Sequence, residues 1–495
     1  MPVRRRVGAA FAAMVVVAAG VASCGSRVPA AAPAPGHLAW SACTGGRGPA
    51  GAQCATLTVP LDTTAAQGSD GPTVELALDR IPANGSRIGS LIINPGGPGV
   101  SAVDNLPAVA GLLTPGVRDH FDLIGYDPPG VGHSTAVSCL GPRSLSAYLH
   151  LDPAPPGPAG FARVTAEARS FAAACQARSG ALLDHVSTLD AARDLDRVRA
   201  AVGDPTLNFL GFSYGTLLGA TYASLYPTRV RSMVLDGALD PTLATLPKLD
   251  VQAAAVDAQF RLFASACQAS KACPWHAGSH PTATFLALLA KVRASPVAAG
   301  GQVAGPAELL YGTAEALYST SLWPTLQTAL AQLDAGNGAP IVSLFDRYMG
   351  RNSDGTFSTI SEAESAVNCA DTAPPTLSAI RANAASVIAE APIFGPLNVD
   401  GEAVCALWPS PGTASPHPLV ATGSPTIVVV GSTGDPITPY AWAVHLAAQL
   451  GTGRLLTRVG DGHTAYGASA CVRAAVQTYL VDLRAPAPGT RCPSS

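Results

Sequence analysis

Charged side chains are scarce in this chain of 495 residues. They make up 13% of it, about half of the roughly 25% that is usual for soluble proteins. Only three lysines occur, Lys248, Lys271 and Lys291, and the formal net charge is −3. A chain with so little positive charge, and no cluster of it, does not form a nucleic-acid-binding surface. Because hydrophobic residues reach 48% and the net charge is small, intrinsic disorder is excluded as well.

The eleven cysteines lack the CxxC spacing of a zinc site, so we expect no metal, and no motif points to a cofactor. Ten remain when Cys24 is set aside, and an even number predicts five disulfides, which persist in oxidising compartments outside the cytoplasm. Spacing does not determine the connectivity. Pairing of sequential neighbours is the simplest arrangement: Cys43 with Cys54, Cys139 with Cys175, Cys267 with Cys273, Cys369 with Cys405, and Cys471 with Cys492.

No run of 18 apolar residues follows the N-terminal segment, so no later transmembrane span is predicted. The N-terminus itself is typical of an export signal. Three arginines at positions 4–6 precede a short uncharged apolar run over 7–21, too short to span a membrane as a helix.

The segment VASC at 21–24 ends this signal and resembles a bacterial lipobox, whose cysteine receives a lipid. We therefore expect a lipoprotein signal peptide over residues 1–24, with Cys24 lipidated, and an Ala/Pro-rich tether over 25–37. The protein would then be exported and held at the membrane by its lipid. The alternative is an ordinary signal peptide cut near residues 30–32, or an uncleaved anchor, with Cys24 incidental.

Strand-like and helix-like segments alternate along much of the chain. Alternating residues over 56–61 and 73–81 predict an opening antiparallel hairpin. Later short apolar runs predict strands buried on both faces, with helices between several of them, which indicates an α/β fold with a mostly parallel central sheet. These runs lie at 88–93, 121–126, 207–210, 230–235, 425–430 and 455–459.

Residues 241–424 interrupt this alternation with Ala/Leu-rich helical patterns. We interpret them as a mainly helical cap, inserted between core segments at 38–240 and 425–495, that covers the site and shapes its specificity. The alternative is a helical insertion with no role at the site.

The segment GFSYG at 211–215 lies between a predicted strand and a predicted helix. The GxSxG pattern alone recurs by chance in a glycine-rich chain, but strand–GxSxG–helix is typical of the nucleophile elbow of α/β hydrolases. Glycines on both sides of Ser213 relieve crowding at so tight a turn, and the helix that begins there points its N–H groups toward a developing anion. Ser213 is therefore the candidate nucleophile.

A serine nucleophile needs a base, and the base needs an acid that orients it. In α/β hydrolases the acid and then the histidine follow the serine along the chain. Asp435 and His463 lie in glycine-rich loops after the last predicted strands, in that order. Asp461 and Asp236 are rival acids; Asp461 shares the loop of His463, and Asp236 follows an earlier strand.

The oxyanion of an acyl-transfer intermediate needs backbone N–H donors. One candidate is the N–H of Tyr214, directly after the nucleophile. The glycine-rich loop NPGGPG at 94–99 follows an early strand, and Gly97 is our first choice there for the second donor. The segment DPPGVGHS at 127–134 is interpreted as structural, because its glycines follow a strand that is expected to lie beside the nucleophile.

Together these segments resemble the exported tripeptidyl-aminopeptidase-like serine peptidases of actinobacteria, which are α/β hydrolases related to prolyl aminopeptidases. The resemblance extends from about residue 38 to 492 and implies Ser213 as nucleophile, Asp435 as acid and His463 as base. This sequence departs from the motifs of that family at two positions: it has Pro95 where relatives commonly have histidine, and Pro129 where they have arginine. The resemblance rests on NPGGPG (94–99), DPPGVGHS (127–134), GFSYGTLLGATYASLYP (211–227), MVLDGALDP (233–241), CALWP (405–409), GDPITP (434–439) and GDGH (460–463).

An aminopeptidase of this type must bind the free N-terminal ammonium of its peptide or protein substrate, which requires a desolvated acid. The candidates in the predicted cap are Glu362, Glu364 and Asp371. The alternative for each is a place on a solvent-exposed helix face or a role in capping a helix. A carboxylesterase or lipase with the same triad would need no such acid. A third hypothesis is a catalytically inactive surface binding lipoprotein. The intact Ser–Asp–His set argues against it, because a binding protein has no use for all three residues.

Overall fold

The computed structural model of the protein describes residues 38–44 and 48–494. The predicted signal peptide, Cys24 and the tether lie outside the described residues. Within the described ranges, no helix is both long and apolar enough to cross a membrane.

A ten-stranded sheet forms the centre of the fold. The strands of the described residues are β1 (Ser41–Ala42), β2 (Gln53–Pro60), β3 (Thr73–Ile81), β4 (Gly89–Asn94), β5 (Phe121–Tyr126), β6 (Leu207–Phe212), β7 (Val230–Asp236), β8 (Val297–Ala299), β9 (Gln302–Ala304), β10 (Ile427–Gly434), β11 (Gly453–Asp461) and β12 (Arg491–Cys492). Their order in the sheet is β1-β2-β3-β5-β4-β6-β7-β10-β11-β12, and β8 and β9 pair separately as a small hairpin.

The sheet is antiparallel at one end and parallel over the rest. Strands β1, β2, β3 and β5 pair antiparallel in succession. From β5 through β4, β6, β7, β10 and β11 to β12 every pairing is parallel. The predicted hairpin, the mostly parallel sheet and the α/β class are therefore confirmed. The parallel arrangement brings the carboxyl ends of β4, β6, β7, β10 and β11 to one edge of the sheet.

Helices cover both faces of this sheet, which explains why its strands are apolar throughout. The helices outside the insertion are α1 (Ala102–Leu112), α2 (Pro115–His120), α3 (Pro142–Leu149), α4 (Gly157–Ser179), α5 (Thr188–Ala201), α6 (Tyr214–Leu225), α16 (Tyr440–Gln449) and α17 (Ala470–Asp482). On β4, Ile92 packs toward the side of α4, α5 and α6, whereas Leu91 and Ile93 pack toward α1, α2 and α17.

Between β7 and β10 the chain forms mainly helices, which have an apolar core of their own. Phe260, Phe263, Trp275 and Phe285 lie at its centre, with ring centroids 5.0–5.9 Å apart. The helices here are α7 (Thr245–Ala269), α8 (Pro281–Ala294), α9 (Pro306–Leu317), α10 (Trp323–Asp334), α11 (Ala339–Tyr348), α12 (Ile360–Asp371), α13 (Leu377–Glu390), α14 (Gly395–Gly401) and α15 (Ala403–Ala406).

Helix α12 differs from its neighbours because it packs against the sheet side of the molecule. Ala366 and Val367 belong to the same apolar cluster as Tyr214 and the α5 side of the sheet. At its start, Glu362 Oε1 accepts the backbone N–H groups of Cys139 and Leu140 at 2.9 and 2.7 Å. Helix α12 is thus fixed to the sheet core, although it belongs to the inserted segment.

All ten cysteines of the described residues form disulfides between sequential neighbours: Cys43–Cys54, Cys139–Cys175, Cys267–Cys273, Cys369–Cys405 and Cys471–Cys492. The simplest pairing is therefore confirmed. Two of the bridges join segments 36 residues apart, and one of these ties α12 to α15.

Candidate active site

Ser213 occupies a tight turn between the end of β6 and the start of α6. Its backbone has φ 52° and ψ −122°, a conformation that side chains rarely adopt and that marks functional turns. Gly211 and Gly215 make this turn possible: a Cβ on Gly211 would lie 2.4 Å from the carbonyl oxygen of Gly215, and one on Gly215 would lie 2.8 Å from that of Asn94. The local sequence thus folds as the nucleophile elbow that GxSxG predicts.

Asp435 and His463 form a buried pair at the ends of β10 and β11. The imidazole Nδ1 lies 2.9 and 3.1 Å from the two carboxylate oxygens, and the side chains are 0% and 8% exposed. Asp435 also accepts the backbone N–H groups of Ile437, Thr438 and Thr464. These donors fix the carboxylate, and a carboxylate at Nδ1 leaves Nε2 as the nitrogen that can act as a base.

The candidate nucleophile and the candidate base both lie next to the end of β7. The carbonyl oxygen of Asp236 accepts the N–H of Ser213 at 2.9 Å. The next residue, Gly237, is so close to the base that a Cβ there would lie 3.2 Å from His463 Cε1. Within the described part of the chain, no hydrogen bond joins Ser213 Oγ to His463, and such bonds commonly tighten only when substrate binds.

The two rival acids have other partners. Asp236 is fully buried and accepts the backbone N–H groups of Ala465 and Tyr466 at 2.7–3.0 Å. Burial raises its pKa to about 6. Asp461 packs against Gly434, where a Cβ would lie 2.0 Å from its Oδ1. Neither carboxylate hydrogen-bonds to His463 among the described residues, so the geometry favours Asp435.

Loop 94–99 lies directly against Ser213. A Cβ on Gly96 would lie 2.7 Å from the carbonyl oxygen of Phe212 and 2.9 Å from Ser213 Cβ. The N–H groups of Tyr214 and Gly97 donate no hydrogen bond within the described residues, which leaves both available for an oxyanion. The N–H of Gly96 is occupied, because it donates to Asn94 Oδ1 at 3.0 Å.

The structure separates the three acids of α12 that were candidates for amine binding. Glu362 is occupied by the two backbone amides described above. Asp371 accepts the N–H and the Oγ1 hydroxyl of Thr188 at 2.6 and 2.7 Å, and burial raises its pKa to about 6. Thr188 Oγ1 also lies 2.8 Å from the Tyr214 hydroxyl. Both acids therefore hold parts of the fold in place.

Glu364 has no hydrogen bond or ion pair among the described residues, although it lies deep in the protein. Burial alone raises the pKa of its carboxyl to about 7. Its negative charge also raises the pKa of Tyr311, Tyr318 and Tyr348, which are themselves buried. Its side chain remains partly accessible, and its backbone nitrogen approaches Gly99 in the loop beside Ser213.

The sequence did not point to Tyr318, which follows α9 and contacts the candidate base. Its carbonyl oxygen accepts the N–H of His463 at 2.7 Å, and its ring meets the imidazole edge to face, with centroids 5.3 Å apart and planes at 87°. No motif marks this position, because the contact depends on the path of the inserted segment.

A serine on a strand–turn–helix elbow, beside a His–Asp pair from later strands, is the arrangement of a serine hydrolase. The sequence profile of the alpha/beta hydrolase fold matches residues 89–467. The chain belongs to the α/β-hydrolase family.

Three relatives cover nearly the whole chain. Serine protease Hip1 of Mycobacterium tuberculosis is 35% identical over 514 residues, 98% of this chain and 97% of the relative. Tripeptidyl aminopeptidase of Streptomyces lividans is 31% identical and covers 94% and 89%. Carboxylesterase B of Mycobacterium tuberculosis is 37% identical and covers 89% and 86%. The resemblance to tripeptidyl-aminopeptidase-like serine peptidases is confirmed, and the protein is a serine hydrolase.

Proposed function

We propose that this protein is an exported serine peptidase that releases short peptides, of tripeptide size by analogy with its relatives, from free N-termini. The observation that carries this beyond a general hydrolase is Glu364, a deep, partly accessible carboxylate beside the loop that faces Ser213. Among the described residues it has no hydrogen-bond or ion-pair partner. A cationic group is the partner that such an acid lacks, and the ammonium of a peptide N-terminus supplies it.

The reaction proceeds through an acyl-enzyme. Ser213 Oγ attacks the scissile carbonyl carbon while His463 Nε2 takes the hydroxyl proton, and Asp435 holds the imidazole and stabilises its cationic form. The N–H groups of Tyr214 and Gly97 bind the oxyanion. The protonated histidine then gives its proton to the leaving amine, the C–N bond breaks, and water attacks the acyl-enzyme to release the peptide and restore the serine.

A fluorophosphonate probe tests the nucleophile. We expect it to label the wild type and not Ser213→Ala; equal labelling of the variant would contradict the assignment. Circular dichroism of the variant shows whether the fold is retained.

A panel of fluorogenic tripeptide substrates tests the peptidase. We expect the free N-terminus to be cleaved at least ten times more efficiently, in kcat/KM, than its N-acetylated counterpart. This preference should vanish in Glu364→Gln and persist in Glu167→Gln, a control on α4 whose neighbour is Arg163.

The second candidate function is a carboxylesterase, which the relative named Carboxylesterase B favours. Short acyl esters in the same panel distinguish the two. Hydrolysis of esters alone, with both peptides inert, would establish the esterase. Binding of peptides without turnover, together with absence of probe labelling, would establish an inactive binding protein.

We also propose that the protein is exported and that Cys24 carries a lipid that anchors it to the membrane. The VASC segment at 21–24 supports the lipidation, and the five disulfides support an oxidising compartment. Incorporation of labelled palmitate that is lost in Cys24→Ser is the expected result. Labelling that persists in the variant, or an unlabelled secreted wild type, would contradict the anchor.

A further inference from the structure

Gln252, on the inserted helix α7, is hydrogen-bonded to the loop that carries the candidate acid. Its Nε2 donates to the carbonyl oxygen of Ile437 at 2.8 Å, in a partly buried contact. That carbonyl and the N–H of Thr438 belong to one planar peptide group. The N–H of Thr438 donates to Asp435 Oδ1 at 2.9 Å, and the same oxygen lies 2.9 Å from His463 Nδ1. A single peptide group thus links the side chain of Gln252 to the candidate acid–base pair.

The peptide group between Ile437 and Thr438 can transmit this contact because it is rigid. A donor that holds the carbonyl of a planar peptide also fixes the direction of its N–H. A hydrogen bond accepted at the carbonyl also polarises the group, which makes the N–H a stronger donor. Gln252 therefore affects both the position of the Asp435 carboxylate and the strength of a hydrogen bond to it.

The side chain of Ile437 joins the same loop to the insertion a second time. It packs against the apolar core of the inserted segment, to which Val256 and Phe260 of α7 belong. Val256 lies about one helical turn after Gln252. A hydrogen bond and an apolar contact therefore both hold residue 437 to the inserted segment.

The turn of α7 that carries Gln252 is fixed by its own neighbours. Asn383 Nδ2 on α13 donates to both carboxylate oxygens of Asp250, at 2.8 and 3.0 Å. Asn398 Nδ2 on α14 donates to the carbonyl oxygen of Leu249 at 3.0 Å. The donor that reaches the acid loop is thus presented from a helix that is held on its other side.

We propose that Gln252 is a positioning residue for the acid–base pair. It acts through the peptide group at 437–438 to hold Asp435, which keeps His463 in the orientation that lets Nε2 take the serine proton. The inserted segment then contributes to catalysis itself and not only to the choice of substrate. This inference rests on the roles of Asp435 and His463 in the proposed function, and not on the preference for a free N-terminus.

The test removes the donor and keeps the length of the side chain. In Gln252→Met we expect kcat to fall about fivefold, the effect of one hydrogen bond of ordinary strength, with KM changed less than about twofold. The loss should be equal for a free tripeptide, its N-acetylated counterpart and a short acyl ester, because all three reactions use the same acid. Gln252→Lys restores a donor and should recover most of the wild-type kcat.

A spectroscopic measurement separates positioning from a general loss of stability. The proton shared between a histidine and a carboxylate resonates far downfield in the proton NMR spectrum, and we expect the signal of His463 Nδ1–H to broaden and move upfield in Gln252→Met. Gln268→Met is the matched control. Gln268 lies on the same helix, about 24 Å further along it at 1.5 Å per residue, and donates its side-chain amide to the carbonyl oxygen of Gly278. Its replacement should change neither kcat, KM nor the resonance.

Ile437→Ala provides a second variant, because it removes the apolar contact and keeps the backbone groups of the loop; it should lower kcat in the same way. Wild-type kcat and an unshifted resonance in Gln252→Met would overturn the inference. An equal loss in Gln268→Met would overturn it too, as a general effect of α7, and so would a raised KM with unchanged kcat, which would make Gln252 a substrate contact. If instead Asp435→Asn keeps wild-type activity, the acid–base pair of the proposed function itself fails.

Discussion

Gly99 and Glu364 approach so closely that no side chain fits between them. A Cβ on Gly99 would lie 2.9 Å from the backbone nitrogen of Glu364 and 2.7 Å from the carbonyl oxygen of Ile360. This contact joins the loop beside Ser213 to the first turn of α12. The distance between the proposed amine subsite and the nucleophile is therefore set by backbone packing.

Replacing Gly99 by alanine tests that contact. We expect Gly99→Ala to push α12 away from the loop, to destabilise the protein by about 1–3 kcal/mol through overpacking, and to lower kcat/KM on free tripeptides at least tenfold. Gly51→Ala is the control, because Gly51 has a similar φ of +86° against +92° but nothing within 4 Å of its Cβ position. Equal thermal unfolding and activity of both variants would show that the close approach has no consequence.

The raised pKa of Glu364 predicts a pH dependence of product inhibition. Below pH about 7 the carboxyl takes up a proton and loses its attraction for an ammonium. Above about pH 8 the α-amino group of the peptide loses its own proton. The inhibition constant of a free tripeptide should therefore be lowest between these values. In Glu364→Gln the acidic limb should disappear; its persistence would assign the titration to another group.

Asp371 and Glu364 should differ in the kind of activity they affect. Asp371→Asn disturbs the hydrogen bonds that run through Thr188 to Tyr214, whose N–H is a proposed oxyanion donor. We expect a loss of about tenfold in kcat on free peptide, acetylated peptide and ester alike, with the preference for a free N-terminus unchanged. Glu364→Gln should instead lower activity on the free peptide alone and abolish the preference for a free N-terminus. Selective loss on free peptides in Asp371→Asn would place the ammonium at Asp371 instead.

Replacement by asparagine should also distinguish the roles of Asp435 and Asp236, the two buried aspartates at the ends of strands. Asp435→Asn removes the acceptor that fixes the histidine tautomer, and a loss of about 10⁴-fold in kcat is expected. Asp236→Asn weakens the hold on the backbone of Ala465 and Tyr466 and should mainly lower the temperature of unfolding. If the Asp236 variant loses more kcat than the Asp435 variant, the roles of the two acids are reversed.

The disulfides should stabilise the protein according to the length of chain they close. Replacing both cysteines of the Cys369–Cys405 bridge by serine opens a loop of 36 residues' separation and should cost about 4 kcal/mol. The Cys267–Cys273 bridge, with a separation of 6, should cost about 2 kcal/mol. Denaturant unfolding of the two double variants measures this. Equal costs would indicate that native-state contacts, not chain entropy, dominate.

The strands and loops of the sheet were predictable because their signals are local. An apolar run buried on two faces followed by glycines is visible within ten residues, and β5 and β7 were predicted to within one residue of their ends. Helix α4 was missed, because its buried face is made mostly of small residues, with Phe171 as its one large apolar side chain. Strand β12 was missed because two residues form a strand only when β11 is already beside them.

The sequence alone could not distinguish the roles of the three acids of α12. Glu362, Glu364 and Asp371 lie within ten residues of each other and looked equivalent. The donors that occupy Glu362 come from positions 139 and 140, and the donor to Asp371 comes from Thr188. Which carboxylate has no hydrogen bond in the described part of the chain depends on contacts between segments more than 180 residues apart, and no local pattern records them.

The chain order of the sheet also has a consequence for biosynthesis. A protein is made from its N-terminus, so Ser213 is present long before Asp435 and His463 are added. The proposed base, His463, lies beyond β11, and β12 and the Cys471–Cys492 bridge complete that end of the sheet. A chain that stops short of β11 therefore holds the proposed nucleophile without its proposed base. The proposed activity becomes possible only when the C-terminal strands have been added.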